Sequence, residues 1–459
     1  MSYYAVLSVA SVLILLGGIQ IWRKTRTIAF PLGIAMLYYW SLFGGWFLTI
    51  DLRGGDTGMR YQYLFYKILP VHLDSEYLWT LILYSLFILT IEVTVLCLVR
   101  PRRIVEPSSG AMRISHSKIL IIALFAGLAG FALVRDSLGR AADLHLSPYE
   151  LGRNDAELGP GFTVYQLLDR TALVALSTGL AVFLSGSKAR YIEGKRTPTA
   201  LAGYVALFAG MYWLNLRMGN RNAMVVAVIG AGLFYLANAI KPSALLFITC
   251  LVLGVAAVGI VGLTRGNVFG TIDNMGWWTT LKNAILDNQF SNEPFAAHMS
   301  LYGCLSRRIP VTYGSSFAFM AMSIVPAIFG VPRPPGIYQY YGENVGALEG
   351  QGYTIHHAAG WYLNFGVPGL LIGAMILGWL WATLFNRFCG SQRQIGYWRR
   401  LFAILAFWSF TAFIPDLVRA GPEAYKSVIS ECLLMPTFIF GVAGIKLALY
   451  RNRPVLAPL

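Results

Sequence analysis

The stretch "LWTLILYSLFILTIEVTVLCLV" (residues 78–99) carries one charge, Glu92, in twenty-two positions. As a helix it is about 33 Å long at about 1.5 Å per residue, enough to cross about 30 Å of hydrocarbon. A helix also satisfies its own backbone hydrogen bonds, which lipid demands. Runs of this kind recur along the chain. We read eleven spans, at about 3–22, 28–50, 78–99, 118–134, 163–186, 199–216, 222–240, 243–264, 359–386, 399–415 and 427–449.

Composition agrees. The 459 residues are 56% hydrophobic and 12% charged, with mean hydropathy +0.59. A soluble domain carries about 25% charged residues. The fold expected is an all-α polytopic membrane protein with about eleven helices. The first run, Tyr3 to Trp22, has no small-residue cleavage site behind it and reads as a span. "SSFAFMAMSIVPAIFGV" (315–331) is short, contains a proline and precedes "PRPPG". It reads as an interfacial or re-entrant segment. The five cysteines show no CxxC and no histidine at metal spacing. Neither a disulfide framework nor a metal site is expected.

Charge sets the orientation. The connections after spans one, three, five, seven and nine, with the bordering Lys118, Arg399 and Arg400 and the C-terminus, hold nineteen basic residues against two acids. The remaining connections hold fifteen basic and sixteen acidic residues. The positive-inside rule puts the basic side in the cytoplasm, the N-terminus outside and the C-terminus inside. The net charge of +15 is therefore membrane topology and lipid contact rather than a nucleic-acid surface. The predicted division is a bundle of about eight helices over 1–264, a large outer loop over 265–358, and about three helices over 359–459. Long loops of this kind tend to be functional. The inner connections are short and lack GxxxxGK[ST] and GxGxxG.

Arginines crowd the outer side, where topology does not favour cations. Arg135, Arg140 and Arg153 follow span four, Arg217 and Arg221 lie four apart after span six, and Arg265 opens the long loop. Guanidinium at a membrane boundary serves to snorkel to headgroups. It also binds phosphate oxygens through a planar fork. Both uses remain open from the residues alone. Glu92, Asp169, Arg170 and Glu431 fall within spans, where charge is costly and faces a polar interior. Ion pairing and a proton path both fit, and the latter keeps a transporter in view.

The long loop ends in "GYTIHHAAGWYLNFGVPGLLIG" (352–373). His356 and His357 stand together in a chain with six histidines. Imidazole accepts a proton near neutral pH, so either ring suits a general base that activates a sugar hydroxyl. The plainer reading is an interfacial histidine held by water or a carbonyl. Glu343 and Glu349 lie in the glycine-rich segment before them and are the alternative carboxylate bases.

The order of features resembles the bacterial oligosaccharide repeat-unit polymerases, the O-antigen polymerase family, over about 200–373. The features are Gly219-Asn220-Arg221 after a mid-chain span, Tyr313-Gly314-Ser315-Ser316, Val325-Pro326 and Arg333-Pro334 in the late loop, then Tyr362, Asn364-Phe365-Gly366 and Gly369. The related O-antigen ligases carry a histidine about ten residues before a comparable glycine. His356 and His357 stand ten and nine before Gly366. Ala358 occupies the place of the ligase asparagine, and Gly360 and Trp361 that of an acidic residue found in many polymerases.

The resemblance implies a GT-C-like helical glycosyltransferase of the bacterial inner membrane, inverting and independent of metal and nucleotide. Its substrates are oligosaccharides on undecaprenyl pyrophosphate, joined on the periplasmic face. It implies pyrophosphate binding by Arg217, Arg221, Arg265, Arg135, Arg140 and Arg153, and glycan binding by Tyr313, Arg333, Tyr362 and Asn364. Partners would be the lipid-linked oligosaccharide, membrane lipid and a chain-length regulator protein, with no cofactor and no nucleic acid. Ligase transfer of finished glycan is the neighbouring expectation.

Overall fold

In the computed structural model, the structure describes residues 3–53, 69–101, 111–143, 159–186, 189–218, 222–240, 292–322, 334–346, 354–391 and 396–451, with isolated positions elsewhere. The described chain is mostly helical. In chain order the elements are α1 (Tyr3–Thr25), α2 (Ala29–Tyr38), a π-helical turn (Tyr39–Phe43), α3 (Gly44–Arg53), α4 (Ser75–Leu98), β1 (Met112–Ile114), α5 (His116–Asp143) and α6 (Gly159–Ser185). There follow β2 (Ile192–Gly194), α7 (Pro198–Met218), α8 (Asn222–Asn238), α9 (Asn292–Ser306), α10 (Ser315–Met322), α11 (Ile337–Val345), α12 (His357–Cys389) and α13 (Tyr397–Arg419). A second π-helical segment (Val428–Leu434) leads into α14 (Met435–Arg451).

Among the described residues, eight helical stretches are long and apolar enough to cross a membrane. They match eight of the expected spans. The expected spans 199–216 and 222–240 fall on α7 and α8, and 243–264 lies largely outside the described residues. The 315–331 stretch begins as the eight-residue α10, and its remainder lies outside the described residues.

The chain divides into two compact units. The first holds Met1–Arg103, Ser291–Asn386 and Phe413–Val428. Asp74 caps α4 by accepting from Tyr77 N at 2.7 Å, which satisfies one of the free amides of the first turn. Phe30 and Trp381 pack with ring centres 4.6 Å apart. The ends of α1, α4 and α12 meet. Lys24 Nζ donates to Leu96 O at 2.7 Å, and Asn386 joins Leu98 O and Arg100 N at 2.9 Å each. Strict alternation of spans puts those three ends on one side. At the opposite ends, α9 lies against α4, α3 and the first π turn, with Ala297 to Leu301 buried.

The second unit holds Ile104–Phe290, Arg387–Ala412 and Ile429–Leu459. Connections of like side meet here too. β1 and β2 pair in parallel, and Asn238 at the end of α8 accepts from Ile192 N at 3.0 Å and donates to Ile192 O at 2.8 Å. Lys118 Nζ donates to Val442 O at 3.1 Å. Within the spans, Arg170 pairs with Glu431, and Asn215 Nδ2 donates to Asp169 Oδ1 at 2.8 Å. Three of the intramembrane charges therefore have polar partners inside the protein, as lipid requires.

Candidate functional site

The site is built on the break in α12. Phe365 (φ −143°, ψ 18°) and Gly366 (φ 67°, ψ −153°) leave helical geometry. The Gly366 conformation is one that side-chain-bearing residues avoid. Pro368 then opens the long membrane stretch, where a missing amide costs nothing in a first turn. Gly369 passes close under the preceding segment: a Cβ there would lie 2.5 Å from the Trp361 carbonyl oxygen. These two constraints account for the glycines of "NFGVPG".

Asn364 holds the break in place. Its amide donates to Gly360 O at 2.7 Å and to Ser316 Oγ at 2.8 Å. Its carbonyl oxygen accepts from Ser316 Oγ at 3.0 Å and Thr312 Oγ1 at 3.1 Å. Thr312 N donates to Leu363 O at 2.7 Å. Phe317 stacks on Phe365 with centres 6.0 Å apart. The Tyr313-Gly314-Ser315-Ser316 turn is thus fastened to Asn364-Phe365-Gly366. Tyr313 has φ +51° and is 83% exposed beside it. Tyr362 is half-buried.

Below this turn lies a buried polar knot. His356 is fully buried. Its Nδ1 accepts from Ala358 N at 3.0 Å, so in the neutral ring the proton sits on Nε2 and points at Ser41 Oγ, 2.9 Å away. Its own amide donates to Ser300 Oγ at 2.9 Å. His298 Nδ1 donates to Ser41 O at 2.7 Å. The carbonyl it reaches belongs to the first π turn, where the widened ladder shifts main-chain partners. Tyr84 sits between them, 4.5 Å from the His356 ring and 5.3 Å from that of His298. Burial pushes His298 down to about 4, against the pull of the Ser41 carbonyl. His356 is also held well below the ordinary histidine range, by burial first and then by His357 and His298.

His357, the first residue of α12, is fully buried as well. Trp361 Nε1 donates to its Nε2 at 3.0 Å, and the Tyr425 hydroxyl lies 3.2 Å from the same atom. Its Nδ1 is buried and makes no hydrogen bond. Neither imidazole of the pair reaches a surface.

Of the other expected site residues, Glu343 is exposed on α11 and accepts from Gln339 Nε2 at 2.9 Å. Arg135 is exposed on α5 and pairs with Asp136 at 3.2 Å. Arg140 and Arg217 lie on α5 and α7, with side chains outside the described residues. Glu349, Arg153, Arg221, Arg265 and Arg333 lie outside the described residues. Ser41, Tyr84, His298, Ser300 and Thr312 escaped the sequence reading. Ser41 and Tyr84 sit in apolar runs and His298 in the long loop, and none belongs to a motif. Neither a protein-family model, nor a curated protein, nor a solved structure matches the chain.

Proposed function

We propose that this protein is a glycosyltransferase of the bacterial inner membrane that polymerises oligosaccharide repeat units carried on undecaprenyl pyrophosphate, with its N-terminus periplasmic and its C-terminus cytoplasmic. The observation that carries the reading is the fastening of the Tyr313–Ser316 turn to Asn364. The two segments that resemble polymerase motifs are forty-eight residues apart and meet through side chains. Motif residues that serve one site are expected to converge.

In this reading a sugar hydroxyl of the incoming unit attacks the anomeric carbon of the growing chain. The new C–O bond forms as the bond to pyrophosphate breaks, with inversion. The electron pair leaves on the pyrophosphate, whose charge arginines stabilise. Arg217, Arg221, Arg265, Arg135, Arg140 and Arg153 are the proposed set. The hydroxyl proton goes to a base. His356 and His357 are engaged with Ser41, Ala358 and Trp361, which favours a positioning role for them and gives the base to Glu343 or Glu349. Tyr313, Tyr362 and Arg333 border the glycan.

A strain lacking the gene tests this. The expected glycan gel loses its ladder and keeps a single repeat unit. Loss of all surface glycan, with polymer held on lipid, would mean a ligase instead. An unchanged pattern would sink both readings.

A further inference from the structure

A groove with a volume of about 630 Å³ runs between α1 and α2. It is lined by apolar side chains from Ile14 to Trp22 on one wall and Ile28 to Ala35 on the other, with Ser11 and Tyr38 at one end. Eleven residues of α1 separate Ser11 from Trp22, about 16 Å at the helical rise. That is about half of the roughly 30 Å hydrocarbon layer, the depth of one leaflet. Both walls belong to membrane-spanning helices.

The two ends differ. At the mid-span end of the groove the Ser11 and Tyr38 hydroxyls pair at 2.7 Å, and Trp46 Nε1 donates to the Tyr38 oxygen at 2.7 Å. Those polar groups are satisfied and ask nothing of an occupant. At the other end the chain turns between the helices through Arg23, Lys24 and Arg26, with Arg26 in left-handed geometry and its guanidinium 5.6 Å from the Trp22 ring. Arg23 and Arg26 are exposed. No acid occurs in the first fifty residues, and the adjoining end of α4 adds Arg100. Glu92, behind Gly18, is buried within the helix packing away from this end.

We propose that this groove seats one anionic phospholipid, with its phosphate at Arg23 and Arg26 and one acyl chain along Trp22, Gly18 and Ile14. The charge of the turn selects the headgroup. The concave apolar wall distinguishes the seat from ordinary lipid contact, because it removes acyl surface on two sides at once. The exposed rim residues Leu15, Trp22 and Ile28 would be covered by that chain. The inference does not depend on the catalytic reading.

Native mass spectrometry of the full chain in mild detergent tests it, with phosphatidylglycerol and phosphatidylcholine as probes. One phosphatidylglycerol is expected to stay bound per chain, at least fivefold more than phosphatidylcholine. Arg23→Gln with Arg26→Gln should abolish that preference. Gly18→Leu should block retention of either lipid; a Cβ at Gly18 meets Ile34 and Glu92 only at ordinary contact distance. Equal retention of the two lipids would overturn the proposal. So would undiminished retention in Gly18→Leu, or a dimer through α1 that carries no lipid.

Discussion

Asn364 and Ser316 exchange hydrogen bonds across forty-eight residues of sequence, at 2.8 and 3.0 Å. Both are buried. Removing the amide strands Ser316, Thr312 and the Gly360 carbonyl together. Asn364→Ala is expected to cost about 2 to 3 kcal/mol, seen as a thermal midpoint several degrees lower in detergent. It should also shorten the glycan ladder. Asn364→Asp replaces the donor by a second acceptor that faces the Gly360 carbonyl in a buried setting, so it should cost at least as much. A midpoint equal to that of the native chain would show that the turn is not held there.

The break that Asn364 supports has a cost of its own. Gly366→Ala forces a side chain into a backbone region it avoids, worth about 1 to 3 kcal/mol. Gly369→Ala meets the Trp361 carbonyl instead, so its penalty is steric. The two variants should both melt early. Trp361→Ala should leave the Gly366 penalty intact, because the Gly366 strain is in the backbone alone.

Glu92 is the intramembrane acid whose carboxylate oxygens both lack a hydrogen bond. It is buried against Gly17 of α1. An unpaired charge there would be costly, so removing the acid relieves a liability. Glu92→Gln and Glu92→Met are expected to melt at or above the native temperature. A loss of glycan ladder without loss of stability in Glu92→Gln would give the residue a working role and revive a proton-linked transport reading.

Arg170 and Glu431 present the opposite case, a pair whose side chains are 23% and 12% exposed. Arg170→Leu leaves Glu431 without its cation and should cost about 3 kcal/mol. The double variant with Glu431→Leu should recover most of that loss. Additive penalties in the double-mutant cycle would show that the two charges do not depend on one another.

Acid should loosen the first unit. His298 is held neutral in the fold, with its midpoint at about 4, while an unfolded histidine titrates near 6.5. Between those values the unfolded chain binds the extra proton, so stability falls as pH drops from about 6.5 to 4 and levels off below. The full effect is about 3 kcal/mol for one such residue. His356 acts in the same direction. Thermal melts across that range should show the slope, and His298→Asn should reduce it to the part that His356 contributes.

Much of the membrane architecture is written in runs and charges. Eight expected spans appear as helices long and apolar enough to cross a membrane. The alternation of sides is visible where Lys24, Leu96 and Asn386 meet, and again where Asn238 meets β2. The histidine pair was legible as a feature but not in its setting. Its partners Ser41, Tyr84 and Ser300 come from three distant segments, and no local pattern marks a serine that will face an imidazole. The NFG break was legible as a motif, and its reason, Gly366 backbone geometry and a close Trp361 carbonyl, is purely three-dimensional.

The π turn at Tyr39–Phe43 has a further consequence. It inserts a residue's worth of rotation, about 100°, into the middle of a span. The half before it presents Ile34, Ala35 and Tyr38 to the groove along α1, and the half after it presents Gly45 to His298 and Tyr77. Deleting any one residue between 39 and 43 would restore a regular helix and bring those two faces out of phase. The span therefore has to keep its length to the residue, and a natural relative with a one-residue gap there is expected to lack either the groove or the histidine knot.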